Sequence, residues 1–400
     1  MIKRDEYLDK LIDFKDNHII KVVTGIRRCG KSTLLKQFEE YLLDNGVDKD
    51  HIVFLNLDDI DNEELLDYKK LYYYIKSKIT DNKMHYVILD EIQNVDNFQK
   101  AADSLFLKDN IDLYLTGSNS YMLSSEISTL LTGRYVLIEM MPLSFKEFAS
   151  TFKDQTNLTY IYNQYLTTSS FPQVMEFNKD KDKIKYYLES IYNTIVLNDI
   201  INHKKVSDPM MLKSVLRFLF DNIGNIISPK KISDTMVSMN RKIDSRTIQK
   251  YIDAFLETYV VYEAKRYNVK GQNYLQSLSK YYICDIGLRY MLLGNKRVDF
   301  GHIIENIIYL ELIRRGYKVY VGQVGRMEVD FVCQDVDNEI YIQVALTTKE
   351  KETLTRELKP LKAINNNYPK LLLTLDEEPE TNYDGIRKIN ALEWLIGRVN

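Results

Sequence analysis

The sequence has few cysteines and no long apolar run, and both absences restrict what the protein can be. The three cysteines among 400 residues, Cys29, Cys284 and Cys333, are odd in number and far apart. They therefore form neither a disulfide framework nor a metal-ligand spacing. No run of about 18 apolar residues is present, and acidic residues interrupt the amino terminus where a signal peptide needs an apolar core. We therefore expect a cytoplasmic protein with no membrane partner.

The sequence also lacks a strong net charge, low-complexity tracts and clear internal repeats. A net charge of −3 gives no whole-chain reason to expect a nucleic-acid or membrane partner, so any such surface must be local. Hydrophobic residues make up 45% and charged residues 28%, which is an ordinary globular balance. At about 150 residues per domain, the length predicts two or three domains.

The first third of the chain alternates strand-like and helix-like segments. Short apolar runs end in polar or glycine-containing turns, and they read "HIIKVV", "HIVFLNL", "HYVILD" and "IDLYLTG". The segment "RYVLIEMM" adds a further candidate strand. Buried strands separated by amphipathic helices predict an α/β core with a mostly parallel sheet that is covered on both faces.

A phosphate-binding motif follows the first of these strands. The segment "GIRRCGKS" fits the pattern G-x-x-x-x-G-K-[ST], with a strand before it and a helix after it. Gly25 and Gly30 let the backbone N–H groups of the loop turn inward around a phosphate. We predict that Arg28 and Cys29 line the nucleotide with them; as side chains, Arg27 and Arg28 also fit surface charges.

The residues after the second glycine supply the rest of a nucleotide site. Lys31 is expected to reach the β- and γ-phosphates, and the hydroxyl of Ser32 to ligate Mg²⁺. The helix that begins here adds the positive end of its dipole. Thr33 is either a further phosphate contact or an ordinary helix residue.

Two acidic residues lie at the end of the strand "HYVILD": Asp90 is its last residue, and Glu91 follows it. If this strand lies beside the P-loop strand, Asp90 is placed next to the magnesium ion that Ser32 holds. Glu91 is then placed to orient and deprotonate the attacking water. The alternative is a strand that ends in a solvated acidic turn.

The strand "LYLTGSNS" ends in polar side chains that could sense the γ-phosphate. Thr116, Ser118 and Asn119 offer two hydroxyls and an amide at this point, although a purely structural turn has the same composition. Asn56, at the end of "IVFLNL", is a candidate hydrogen-bond partner for Glu91.

The segment "LLTGRYVLIEMMPLSFKEF" carries a family resemblance. Gly133, Arg134 and Tyr135, followed by Pro142 to Phe148, resemble prokaryotic AAA-type P-loop ATPases with a C-terminal PD-(D/E)xK nuclease-like domain of unknown function. The resemblance implies ATP as the nucleotide, and the sequence has no N-K-x-D guanine motif. It also implies that Arg134 approaches the γ-phosphate, in cis or from a neighbouring subunit; an ordinary surface ion pair is the alternative.

The middle of the chain resembles a winged helix-turn-helix in outline. A helix over "DSRTIQKYIDAFLETY" precedes a hairpin around Lys270–Gly271, and its outer face carries Arg246, Gln249 and Lys250. From Val206 to Lys280, twelve Lys and Arg stand against seven Asp and Glu. This basic stretch predicts phosphate contacts with DNA. A module that only clamps the nucleotide domain or binds a protein is the alternative.

The last hundred residues form a second α/β unit that resembles the PD-(D/E)xK nucleases. Glu305 on a helix, Asp330 on a strand and Gln343 on the next strand match the arrangement that gathers around Mg²⁺ in those enzymes. Ala345 stands where the lysine of that motif belongs, so we expect a degenerate, inactive domain.

The combined prediction is an α/β ATPase of four parts. These are a P-loop NTPase core over 1–150, a helical connector over 151–205, a winged-helix-like domain over 206–298 and a nuclease-like domain over 299–400. ATP and Mg²⁺ are the expected cofactors, and nucleotide state is expected to drive DNA- or protein-binding C-terminal domains. A slowly cycling, nucleotide-gated binding switch and an ATP-regulated DNA nuclease are the alternatives, and a homo-oligomer stays open.

Overall fold

The computed structural model describes residues 2–118, 133–202, 204, 206–294, 299–336 and 338–399. They divide into two compact units. The first unit comprises Met1–Pro142 with Glu257–Tyr259, and the second comprises Leu143–Leu256 with Val260–Asn400. The four-part division stays a prediction. None of the described helices is long and apolar enough to cross a membrane.

The first unit is a parallel sheet with helices. Its strands are β1 Ile20–Thr24, β2 Ile52–Asn56, β3 His85–Asp90, β4 Ile111–Gly117 and β5 Tyr135–Glu139. Its helices are α1 Asp5–Asp13, α2 Lys31–Asp44, α3 Tyr68–Lys78 and α4 Phe98–Phe106, with short 3-10 turns at Lys49–His51, Ile60–Leu65 and Ile92–Asn94. The sheet order is β2-β3-β4-β1-β5, and every pairing is parallel. The predicted α/β P-loop core is therefore confirmed.

The strand order corrects one expectation. We placed the strand of Asp90 beside the P-loop strand, but β4 lies between β3 and β1. Each of these strands is buried along its whole length, so their composition could not indicate which strand is central. As a result, Thr116 at the end of β4 lies between the P-loop after β1 and the acidic residues at the end of β3.

Helices cover the sheet of the first unit because its strands have two apolar faces. Leu71 of α3 and Leu105 of α4 belong to one buried cluster with Val87 of β3. Phe38 of α2 packs its ring 4.5 Å from that of Tyr114 on β4. The carboxyl ends of β1, β3 and β4 lie at one edge of the sheet, and this edge carries the predicted nucleotide residues.

The second unit begins with helices. They are α5 Phe145–Ala149, α6 Leu158–Thr168, α7 Lys181–Asn193, α8 Pro209–Asp221, α9 Pro229–Ser238, α10 Ser245–Glu257, α11 Ile286–Leu293, α12 Phe300–Arg314, α13 Lys351–Lys362 and α14 Ala391–Leu395, with a 3-10 turn at Pro172–Phe177 and a π-helical segment at Thr194–Asn202. A capping box starts α5, because Ser144 accepts from the N–H of Glu147 while Glu147 accepts from the N–H of Ser144.

The strands of the second unit form one mixed sheet. They are β6 Ile226–Ile227, β7 Val261–Asn268, β8 Asn273–Ile283, β9 Lys318–Val324, β10 Met327–Gln334, β11 Glu339–Ala345, β12 Lys370–Thr374, β13 Thr381–Tyr383 and β14 Ile386–Asn390. Their order is β13-β14-β12-β11-β10-β9-β7-β8-β6. The predicted hairpin is β7–β8, and the side chain of Asn268 accepts from the N–H groups of Lys270 and Gly271 in its turn. The predicted helical and C-terminal α/β parts are thus both present.

Candidate functional site

The loop between β1 and α2 has the backbone shape that its glycines predict. Gly25 has φ +144°, and a Cβ placed on it would lie 1.9 Å from the carbonyl oxygen of Met140. Only glycine therefore fits at this position. Arg28 and Gly30 also have positive φ, 69° and 107°, so the chain turns sharply before α2 begins.

The start of α2 suits an anionic ligand. No side chain caps the helix at Gly30, and its first turn holds no acidic residue. The first N–H groups of a helix need an acceptor, and its dipole favours negative charge there. Lys31 is buried, and its Nζ donates to the carbonyl oxygen of Gly25 at 3.1 Å. With Ser32 and Thr33 half-buried in the same turn, these residues fit a bound phosphate chain and its metal ion.

Arg4, a buried arginine that the sequence pattern did not indicate, hydrogen-bonds to the backbone of the P-loop. Nη1 of Arg4 donates to the carbonyl oxygen of Cys29 at 2.8 Å, and Nη2 donates to that of Met141 at 2.7 Å. Tyr7 OH accepts from the N–H of Met141 at 3.1 Å. Helix α1 thereby positions the P-loop through charge-assisted hydrogen bonds. Its sequence is that of an ordinary amphipathic helix and gives no signal of this role.

Thr116 links the two acidic residues at the end of β3. Its hydroxyl donates to Oδ1 of Asp90 and accepts from the backbone N–H of Glu91 at 2.9 Å. Asp90 is buried, and Glu91 has φ +54° at the end of the strand. The left-handed conformation is costly for a residue with a Cβ, and such strain gathers at functional sites.

The carboxylate of Glu91 is held by two side chains. Ser118 Oγ lies 2.8 Å from both carboxylate oxygens, and Nε2 of Gln93 donates to Oε2. Asn56, which we expected as a partner, is exposed and its Oδ1 instead accepts from the N–H of Asp58. That expectation was wrong, because the turn after β2 uses the side chain of Asn56 locally.

The P-loop and the end of β3 affect each other electrostatically. Burial raises the pKa of the Cys29 thiol, Lys31 and Arg4 lower it, and Glu91 raises it. Glu91 and Lys31 therefore both influence the pKa of the Cys29 thiol, although they are 60 positions apart in the sequence. Asn119, the third residue of the predicted sensor, lies outside the described residues.

Arg134 lies at the other edge of the sheet. It directly precedes β5, and its carbonyl accepts from Ile20 at the start of β1. The five residues of β5 therefore separate it from the P-loop edge, about 15 Å at the usual strand rise. Its guanidinium pairs with Asp103 and stacks on the ring of Phe106 at 5.6 Å. Arg134 therefore lies away from the P-loop end of its own sheet in this structure, and its action in cis or in trans stays a prediction.

A tyrosine reaches the end of β1. Tyr259 OH lies 2.9 Å from the hydroxyl of Thr24, the residue before Gly25, and its φ is +57°. Glu139, in register with Thr24 on β5, is beside them. Burial raises the pKa of Glu139 to about 7, and Glu139 in turn raises the pKa of Tyr259. In sequence, Tyr259 is the last residue of "DSRTIQKYIDAFLETY", for which we predict only a helix, so nothing there indicates this contact.

The acidic residues of the C-terminal part surround a lysine. Nζ of Lys280, from β8, lies 2.8 Å from Oε1 of Glu305, 2.7 Å from Oε1 of Glu328 and 3.6 Å from Oδ1 of Asp330. Tyr282 OH donates to the same oxygen of Glu305 at 2.6 Å. Burial raises the pKa of Asp330 to about 7, and Glu305 raises it while Lys280 lowers it. The sequence pattern missed Lys280 because it comes from another strand.

Gln343, the third residue predicted for this acidic group, lies beside Asp330. Oε1 of Gln343 lies 3.4 Å from the backbone N–H of Asp330, and its Nε2 donates to Oε2 of Glu357 at 2.9 Å. The structure thus brings Glu305, Asp330 and Gln343 close together, and their assignment as a nuclease-like site stays a prediction. Ala345, at the expected lysine position, ends β11.

Known proteins resemble the chain in both parts. A family model described as an AAA domain matches residues 17–149, and a domain of unknown function matches residues 159–299. An uncharacterized protein of Haemophilus influenzae is 39% identical over 99% of each chain. Another, of Methanocaldococcus jannaschii, is 30% identical over 90% of this chain and 82% of its own.

The parallel sheet and the loop after β1 give the first unit the fold of an AAA-type P-loop domain. A Walker-type ATPase of Pyrococcus abyssi has the same fold, with a TM-score of 0.50 at 16% identity over 73% of this chain and 96% of that one. The chain belongs to the family of AAA-domain proteins that its Haemophilus and Methanocaldococcus relatives represent.

Proposed function

We propose that the chain binds ATP with Mg²⁺ at the P-loop edge and hydrolyses it. Lys31 and the N–H groups from Gly25 to Thr33 bind the phosphates, including those of Arg28, Cys29 and Gly30. Ser32 and Asp90 would hold the ion. When bound, Mg²⁺ neutralises developing phosphate charge and orients the γ-phosphoryl group.

The hydrogen bonds of Glu91 are the observation that carries this proposal. Ser118 and Gln93 fix its carboxylate, and Thr116 ties its backbone to Asp90. A solvated acidic turn needs no such constraint, whereas a general base must be held in position to accept a proton from water. Glu91 therefore orients the attacking water and takes its proton, and Asn119 stays a predicted sensor.

Separate binding and turnover measurements test these roles. We expect Lys31→Ala to lose most affinity for a fluorescent ATP analogue, and Glu91→Gln to keep it while losing hydrolysis. Lys36→Ala, on the exposed face of α2, is the matched control and should behave as wild type. Equal affinity of Lys31→Ala and wild type would contradict the site.

Arg134 acts on the nucleotide of a neighbouring copy in this proposal. Its distance from the P-loop end of its own sheet and its partly exposed position beside Asp103 support that role. An arginine finger contributes roughly 10³–10⁵ in turnover. Mixing Arg134→Ala with Glu91→Gln should restore activity, because one interface then has both intact residues. No recovery in mixed oligomers would contradict the trans role.

The middle of the chain is proposed to be a winged-helix module that binds duplex DNA. The order α8, β6, α9, α10, β7, β8 and the antiparallel pairings of β6 and β7 with β8 support this assignment. Lys242, Arg246 and Lys250 are exposed, whereas Arg241 donates to Ser214. Three phosphate contacts predict a log–log salt slope of about −2.7.

Substitution of the exposed helix face tests DNA binding. Arg246→Ala with Lys250→Ala should weaken binding and reduce the salt slope by about 2, one for each lost contact. Lys181→Ala, an exposed lysine outside the module, is the control. Unchanged DNA affinity would favour the alternative in which this module binds a protein partner.

Nucleotide state is proposed to reach α10 through Tyr259. The Thr24–Tyr259 hydrogen bond lies directly before the P-loop, and the chain continues from α10 into Tyr259 two residues later. We expect Tyr259→Phe to hydrolyse ATP but to lose the ATP dependence of DNA affinity. An unchanged ATP dependence would contradict this route. A slowly cycling binding switch and a fast-cycling ATPase would both show this coupling. The rate of ATP hydrolysis distinguishes them.

The C-terminal domain is proposed to be a nuclease-like fold that does not cleave DNA. Lys280 neutralises the acidic residues that would otherwise hold a metal ion, and Ala345 leaves the motif without its own lysine. We expect no Mg²⁺-dependent cleavage by the wild type. Cleavage that Asp330→Ala abolishes would instead establish the ATP-regulated nuclease. A cytoplasmic location stays a prediction from the cysteine content.

A further inference from the structure

Two histidines and an aspartate meet at the edge of the first sheet that lies opposite the P-loop. His51 directly precedes β2, His85 begins β3, and Asp81 lies in the turn before it. One ligand atom of each lies within 4.8 Å of the other two. Nothing in the proposed ATPase chemistry uses these residues.

His85 has a ring nitrogen that points to a ligand. The side chain is fully buried, and its Nε2 has no hydrogen-bond partner. Its Nδ1 lies 2.8 Å from the carbonyl oxygen of Lys83, which can only accept, so Nδ1 carries the proton. Nε2 therefore presents a lone pair. A buried acceptor without a partner costs free energy, and a metal ion would satisfy it.

The hydrogen bond of His85 to a backbone carbonyl is the arrangement that orients metal-binding histidines. Such ligands usually donate their second ring N–H to a carbonyl or carboxylate, which fixes the tautomer and the ring. The rings of His51 and His85 meet edge to face with centroids 4.7 Å apart. The second histidine is therefore close enough to share one ion with the first.

Asp81 completes the group with an oxygen. Its Oδ2 lies 3.0 Å from Nε2 of His51, and its Oδ1 accepts from the N–H of Lys83 at 2.8 Å, which holds the carboxylate in place. Zn²⁺ binds nitrogen and oxygen at about 2.0–2.2 Å, so the three ligand atoms, which lie within 4.8 Å of one another, would draw closer around an ion. Because Asp81 is exposed, an ion can enter from solvent.

We propose that His51, Asp81 and His85 bind one divalent ion of the zinc type, with water in the fourth position. Two imidazoles and one carboxylate match the ligands of Zn²⁺ and Co²⁺, whereas Mg²⁺ and Ca²⁺ prefer all-oxygen sites. The ion ties the edge strand β2 to β3, and the opposite end of β3 carries Asp90. The site therefore stiffens the strand that positions the proposed metal and base residues.

Cobalt titration of the full chain tests this proposal independently of ATP hydrolysis. A protein without a histidine tag is stripped with chelator, freed of nucleotide and titrated with Co²⁺. We expect visible absorption typical of tetrahedral Co²⁺, saturating at one equivalent and lost on addition of Zn²⁺. Excess Mg²⁺ should leave it unchanged.

Variants assign the ligands. Asp81→Asn changes an exposed residue and His85→Gln a buried one, and both should lose at least 10-fold in Co²⁺ affinity with circular dichroism unchanged for Asp81→Asn. His302→Gln is the control. His302 on α12 forms a similar pair with Asp299, the residue before this helix, with 3.0 Å between Nδ1 and Oδ2. Absence of a tetrahedral spectrum in folded wild type would overturn the proposal, as would equal binding by Asp81→Asn.

Discussion

At the scale of single residues, Ser118 is the partner that fixes the carboxylate of Glu91. Its hydroxyl contacts both carboxylate oxygens at 2.8 Å. We predict that Ser118→Ala lowers kcat about 10- to 150-fold, as expected for one hydrogen bond to a charged group, and leaves KM for ATP nearly unchanged. Steady-state phosphate release over a range of ATP concentrations measures both constants.

A serine far from the site provides the comparison for Ser118. Ser104 on α4 donates only to the carbonyl of Lys100, so Ser104→Ala should match wild type. If Ser118→Ala instead raises KM and keeps kcat, the hydroxyl serves substrate binding and our assignment of a positioning role is wrong.

Glu139 makes stability depend on pH. Burial raises its pKa from 4.5 to about 7, so the native state keeps a proton that the unfolded chain releases above about pH 4.5. The native state consequently loses stability as pH rises from about 4.5 to 7, and the loss persists at higher pH. Glu139→Gln removes this contribution, and we expect it to gain about 1–3 kcal/mol over wild type between pH 5 and pH 8.

Denaturant unfolding at several pH values measures the effect of Glu139. Glu40→Gln, on the exposed face of α2, should follow the wild-type pH profile. Parallel profiles of Glu139→Gln and wild type would show that the carboxyl titrates normally in the native state.

At the scale of elements, helix α1 supports the P-loop through Arg4. Loss of its two hydrogen bonds leaves the carbonyl groups of Cys29 and Met141 without these donors. We predict that Arg4→Met destabilises the first unit by about 2–4 kcal/mol and weakens ATP-analogue binding. Thermal unfolding with and without the analogue reports both effects.

The exposed neighbour of Arg4 is its control. Lys3→Met removes one positive charge from the same segment without touching the loop, so both readouts should stay at wild-type values. Wild-type analogue affinity in a folded Arg4→Met protein would show that the loop keeps its shape without α1.

Local patterns at this scale were sufficient for the nucleotide-binding elements. The P-loop and the turn after β3 are continuous segments, so spacing alone identified Lys31, Ser32, Asp90 and Glu91 as candidates. The hairpin of β7 and β8 followed from its turn residues in the same way. The position of β4 between β1 and β3 did not, because β1, β3 and β4 are all buried along their whole length and their composition does not rank them.

Local sequence patterns did not identify residues whose contacts join distant parts of the chain. Arg4 reaches Met141 over 137 residues, and Tyr259 reaches Thr24 over 235. Lys280 is supplied by a strand that precedes the nuclease-like segment. His51 and His85 have ordinary neighbours in sequence, and only the pairing of β2 with β3 brings them together. Such contacts depend on the tertiary fold.

At the scale of the whole molecule, the chain divides into two compact units. The first unit contains the described residues of the proposed ATP site, and the second contains α8 to β8 and the other strands of the mixed sheet. One short segment, Glu257–Tyr259, belongs to the first unit although its chain neighbours belong to the second. The route proposed above for nucleotide state, from Thr24 through Tyr259 to α10, runs along this segment.

Glu91 is the residue that we propose makes this protein an ATP hydrolase. Steady-state phosphate release with ATP and Mg²⁺, compared between wild type, Glu91→Gln and the exposed control Glu64→Gln, tests it most directly. We predict a loss of about 10²–10⁴-fold in Glu91→Gln alone, with ATP-analogue binding retained. Equal hydrolysis by Glu91→Gln and wild type would contradict the account.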